Sequence, residues 1–191
     1  MNGEHDSLRL LRVIERQQFR PLSYVLGRSE SHLIVPTGTV PATLGTNVDC
    51  PANTVRTVRF ALLAPVLVAS IHFRVTTLAA GALGGVAIYS PDGNTLLING
   101  GGQSLAATGN VAVTLSSAVL LNIGMYRFAY TSSNGNVRFW GVATDANFAL
   151  FNSGVTQVGV AANASAAGVF PSTLGAITPA ALGYPLVKLQ S

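Results

Sequence analysis

From about residue 32 onward, polar and apolar side chains alternate with a period of two, and turn residues interrupt the alternation at close intervals. That pattern builds strands with one buried face. It is seen in Val55-Arg56-Thr57-Val58-Arg59-Phe60, Ile71 to Val75, Val86 to Tyr89, Val111 to Leu115, Val137 to Val142 and Gln157 to Val160. In Met125 to Thr131, Tyr126, Phe128 and Tyr130 share a face while Arg127 points the other way. Ser90-Pro91-Asp92-Gly93-Asn94 is turn chemistry: proline fixes φ near −65° and glycine accepts a positive φ. Asn134-Gly135, between two alternating runs, reads as a hairpin turn, and Gly84-Gly85, Gly100 to Gly102 and Gly124 as further turns. Eight or so short strands without crossover helices predict an all-β fold, an antiparallel β-sandwich or jelly roll over residues 31–191.

Charge divides the chain. The first 30 residues carry nine charged side chains: Glu4, Asp6, Arg9, Arg12, Glu15, Arg16, Arg20, Arg28 and Glu30; the rest of the chain carries only nine more. Residues 1–30 therefore form a separate arm, helical or extended. Within it, Ser7 to Phe19 suits an amphipathic helix, with Ser7 as N-cap and Pro21 as stop. Leu10, Leu11, Val13 and Ile14 fall on one side, and Arg9, Arg12, Arg16 and Arg20 form a stripe on another. A helix this short is unstable alone in water, so it docks either on its own body or on a neighbour. Arg9, Leu11, Arg12, Ile14, Arg16 and Arg20 are the residues expected to make the arm an assembly anchor.

Overall, charged residues are 9% of the chain against about 25% in an average soluble protein. With 49% hydrophobic residues the chain is not of the disordered class, and the low charge suggests a surface partly covered by other chains. Neither a secretory signal nor a membrane span is read. The uncharged stretch from Phe60 to Phe73 contains Pro65 and is shorter than the ~20 residues a bilayer requires.

Chemistry is sparse. Cys50 is the single cysteine, so no intrachain disulfide forms and no thiolate cluster is available for metal. The histidines are His5, His32 and His72. The body's carboxylates are Asp49, Asp92 and Asp145, and Asp92 is accounted for by its turn. No nucleophile elbow, phosphate loop or metal spacing is present, and no enzyme, cofactor or metal is expected. Asn163-Ala164-Ser165 matches a glycosylation acceptor and is read as coincidental, as is the recurrence of Pro41-Ala-Thr-Leu-Gly45 as Pro171-Ser-Thr-Leu-Gly175. The strand arginines Arg56, Arg59, Arg74, Arg127 and Arg138 are more informative, since most are expected to face outward toward an acidic partner or solvent. Arg127, Arg138 and Trp140 are the candidate partner-binding surface. The basic pattern is too thin for a nucleic-acid face. A glycan-binding module stacking sugars on Trp140 and Tyr126 is a further reading, with core packing the simpler role for Tyr126, Phe128 and Tyr130.

Three segments resemble β-sandwich modules in structural proteins of tailed bacteriophages, notably tail-fibre and virion-surface proteins. Gly85-Val-Ala-Ile-Tyr-Ser-Pro-Asp-Gly-Asn94 is similar to their first hairpin. Leu121-Asn-Ile-Gly-Met-Tyr-Arg-Phe-Ala-Tyr130 is similar to their leucine-x-x-glycine-x-tyrosine strand opening, and Gly168 to Pro179 with Gly183 to Val187 to their closing loop and last strand. The resemblance implies a non-enzymatic virion component, commonly a homotrimer, docked to other capsid or tail proteins, with a host surface glycan as a further candidate partner. A tail-fibre or receptor-binding role is favoured, and a capsid decoration protein is the alternative.

Overall fold

The computed structural model describes residues 31–34, 44–142 and 156–191; the arm of residues 1–30, with its six anchor residues, lies outside them, as does Asp145. Among the described residues there are thirteen strands and no helix. They are β1 (Ser31–Ile34), β2 (Leu44–Asp49), β3 (Arg56–Leu62), β4 (Val66–Thr77), β5 (Leu83–Tyr89), β6 (Leu96–Ser104) and β7 (Gly109–Leu121), followed by β8 (Gly124–Ser132), β9 (Arg138–Val142), β10 (Val158–Ala161), β11 (Ile177–Pro179), β12 (Tyr184–Pro185) and β13 (Val187–Gln190). They make two antiparallel sheets. One runs β1-β13-β4-β9-β12, with β2 added on β9 and β7 on β4; the other runs β11-β10-β3-β8-β5-β6. The expected all-β sandwich is what the chain forms.

Alternation explains the core between the sheets. Phe60, Phe128 and Tyr130 project from the β3–β8 side, Phe73 and Phe139 from the β4–β9 side, and all are buried. Phe139 meets Phe73 edge-on at 5.8 Å within its own sheet and Tyr130 at 6.1 Å across the gap, a geometry aromatic quadrupoles favour. Tyr126 is only partly buried and packs on Phe60 at 5.8 Å. Its hydroxyl donates to the Asn122 carbonyl at 3.0 Å, closing the turn that opens β8.

Simple alternation fails in β5 and β8, which are buried on both faces over most of their length. The outer face of their sheet supports a second apolar cluster of Val55, Ala87, Tyr89, Ala129, Ala161, Phe170 and Leu174. Ala87 and Ala129 are cross-strand partners, and their small side chains let the segment after β10 lie close to the sheet. That segment is tied down at several points. The Tyr89 hydroxyl donates to the Pro171 carbonyl at 2.6 Å, and the Leu174 amide donates to the Gly93 carbonyl at 2.8 Å. Ser165, the hydroxyl residue of the glycosylation match, is buried and bonded to Thr131 at 2.6 Å.

The turn expectations come out differently, and Gly84-Gly85, expected as a turn, lies inside β5. The Ser90–Asn94 turn forms as read: the Gly93 amide donates to the Ser90 carbonyl at 2.9 Å, Gly93 takes φ +79, and Asp92 accepts from Ser90 and Asn94. Asn134-Gly135, by contrast, is not a hairpin. It carries the chain from β8 in one sheet to β9 in the other, and Gly135 is not in the left-handed region that a type I′ turn needs. The Asn134 side chain instead accepts from the Asn136 amide at 2.9 Å, a local bond that turns the chain without pairing its flanks. Gly100 to Gly102, expected as a turn, lie inside β6, where Gly100 allows the backbone to approach Val86.

Cys50 is fully buried, and burial pushes its thiol up to about 12. At pH 8 the native thiol is therefore protonated and screened from reagent. We predict that a chromogenic disulfide reagent labels Cys50 at the rate of global unfolding, and immediately once denaturant is present. Rapid labelling of the native protein would contradict this burial.

Candidate partner surface

The outer face of the seven-stranded sheet is open, and register determines what shares it. On β4 the outward residues are Ser70, His72, Arg74 and Thr76; on β9 they are Arg138 and Trp140. Val75 pairs with Phe139 and both point inward, so their chain neighbours Arg74 and Trp140 both face outward. On the other flank of β9, Asn47 pairs with Trp140 and Asp49 with Arg138. Trp140 is 37% exposed, enough to offer part of the indole to a partner. Arg138 donates to Asp49 at 2.9 Å in an ion pair and also to the Gly135 carbonyl at 2.7 Å. With both partners substantially exposed, that pair orients the guanidinium more than it stabilises the fold. Beside β2, a shallow hollow of about 440 Å³ is lined by Thr46, Asn47, Val48, Asp49, Arg56 and residues 181–183.

Farther along the face, Lys188 pairs with His72 across β13 and β4. Partial burial, and then the Lys188 charge, lower the His72 pKa below its ordinary value, while Ser70 Oγ lies 3.0 Å from its Nε2. A serine activated by histidine needs a carboxylate behind the ring, and here the residue across the ladder is a cation. His72 is thus a neutral, hydroxyl-bonded histidine at pH 7. Because its folded pKa is depressed, the unfolded chain takes up the proton first as pH falls below about 6.5, and stability declines with it. We predict an NMR titration midpoint for His72 below that of a free histidine, moved upward by Lys188→Gln. No upward movement would show that Lys188 does not act on the ring.

The three residues expected to form one surface divide. Arg138 and Trp140 are together on the outer face of the seven-stranded sheet, a face that Arg74 of β4 shares. Arg127 does not belong to that surface. It is 5% exposed on the outer side of the other sheet, donating from Nε to the Pro91 carbonyl at 3.0 Å and from Nη2 to the Thr156 carbonyl at 2.8 Å. The alternation correctly turned it away from the core, but the chain folds back over that face and covers it. Burial and the facing Arg59 pull its pKa down to about 10, still well above neutrality. Tyr126 and Trp140 are likewise apart, one packed between the sheets and the other outside, so they make no joint sugar platform.

In comparison with known proteins, the chain matches no family model, and no curated protein is significantly similar to it. No metal-binding group of His, Cys, Asp or Glu occurs among the described residues.

Proposed function

We propose that the protein is a non-enzymatic structural component of a bacteriophage virion, a β-sandwich of the tail-fibre or receptor-binding type held to the particle by its N-terminal arm. The observation that carries the reading is a rigid antiparallel sandwich, poor in charge, behind a short charged leader. The segments similar to phage modules have plain structural jobs that fit such a part. Gly85 to Asn94 comprises most of β5 and the turn toward β6, Leu121 to Tyr130 leads into β8, and Gly168 to Val187 supplies the flap over the sheet and the way into β13. The face around Trp140, Arg74 and Arg138 is the surface proposed for contact with neighbouring virion proteins or a host glycan.

Capsid decoration is the second reading, supported by the same charge-poor sandwich. Copy number separates the two. Quantitative gel densitometry of purified particles is expected to show a few dozen copies or fewer, in multiples of a homotrimer. Hundreds of copies would assign the protein to decoration, and absence from the particles would overturn both readings.

A further inference from the structure

Among the described residues, one end of the sandwich is apolar and exposed. Four of the seven exposed large hydrophobic residues described collect there: Leu63 at 73% exposure, Leu67 at 49%, Leu120 at 58% and Ile123 at 65%. Pairing explains why they meet. Leu67 lies opposite Leu120 across β4 and β7, and Val66 pairs with Leu121 while Leu62 pairs with Gly124. The two loops that carry Leu63 and Ile123 therefore run side by side from one sheet to the other. No charged residue occurs in 60–71 or 111–126, so no charge interrupts the patch. A contiguous apolar surface of this kind marks an interaction site.

The topology also indicates what can cover it. Ser31 pairs with Gln190, and Gln190 pairs with Ser70, so β1 begins level with the start of β4, at the patch end. By strand spacing and rise, Ser31 lies within about 15 Å of Leu67. Residues 20–30 reach about 36 Å when extended. They connect Ser31 to the one segment whose sequence gathers Leu10, Leu11, Val13 and Ile14 on a face that needs burial.

We propose that in the free subunit the arm segment Ser7 to Phe19 docks its aliphatic face on the Leu63–Leu67–Leu120–Ile123 end of its own sandwich. A tether this short holds the segment at an effective concentration in the millimolar range, above that of any second copy in dilute solution. The arm's arginine stripe then faces solvent, ready for an acidic neighbour. This inference concerns the isolated protein and does not depend on the virion assignment.

Limited trypsinolysis tests it, because cleavage after Arg9, Arg12 or Arg16 requires the segment to leave its seat and extend. Cleavage within residues 9–16 is expected to be about tenfold faster in Leu63→Ser/Ile123→Ser than in the wild type, since proteolysis follows the population of the released form. Leu11→Ser/Ile14→Ser should give the same acceleration, and combining all four changes should add little. Both patch residues are exposed loop positions, and a wild-type circular dichroism spectrum checks that the variants fold. Equal cleavage of wild type and patch variant would overturn the proposal. So would acceleration by the arm variant alone, which places the seat elsewhere, or wild-type protection that grows with protein concentration, which assigns the patch to a second copy.

Discussion

Phe139→Ala is expected to destabilise the sandwich by about 3–5 kcal/mol, a large part of the ~5–15 kcal/mol that holds a domain of this kind together. Phe139 is fully buried on the inner face of β9, and its ring meets Phe73 and Tyr130. Removing it opens a cavity where the two sheets touch, and neither neighbour can move in without leaving its own strand position. Phe139→Leu refills much of the volume and should recover most of the loss. Urea denaturation of the three proteins measures this directly. A change below 1 kcal/mol for the alanine variant would mean that the two sheets do not pack through this ring.

Gly168→Ala is the second large effect, expected to cost about 3 kcal/mol or more from two separate sources. The residue has φ +76, a left-handed conformation that costs an L side chain roughly 1–2 kcal/mol. An added Cβ would also stand 2.5 Å from the Gly84 amide nitrogen and from the Leu83 carbonyl carbon, both of them backbone atoms of β5. Backbone cannot swing aside as a flexible side chain does, and overpacking of this sort adds roughly 1–3 kcal/mol. The Gly168 carbonyl accepts from the Gly102 amide at 2.9 Å, so the displaced flap would also lose its bond to β6. Thermal unfolding should show a lower midpoint, with faster proteolysis around residues 162–176. An unchanged midpoint would contradict the close seating of the flap on β5.

Where a strand has one wet face and local turns, its position was readable from residue pattern. This holds for β3, the middle of β4, β7 and β9, because each residue's side is determined by its neighbours two positions away. The Ser90–Asn94 turn was equally legible, since its bonds are all local. What escaped depends on distant pairing. β2, with the weak strand sequence Leu44-Gly-Thr-Asn-Val-Asp49, is a strand because β9 supplies a partner far along the chain. β6 hides three glycines that look like a turn until β5 is set against them.

The partner surface shows the same division. Alternation placed Arg138 and Trp140 on one face and turned Arg127 away from the core, yet it could not show that Pro91 and Thr156 would roof Arg127 over. Nor could it put Arg74 on the same sheet face as Trp140, which follows from the β4–β9 pairing. The doubly apolar run Val86-Ala-Ile-Tyr89 was the available signal that the second sheet is covered on its outer side as well.

In the proposed virion component the sandwich is the body of the subunit and the leader attaches it to the particle. Deleting residues 1–30 and measuring incorporation into particles tests that division most directly. The truncated protein is expected to keep a β-type circular dichroism spectrum and cooperative unfolding while disappearing from purified particles. Incorporation at the wild-type level would show that the leader does not anchor the protein.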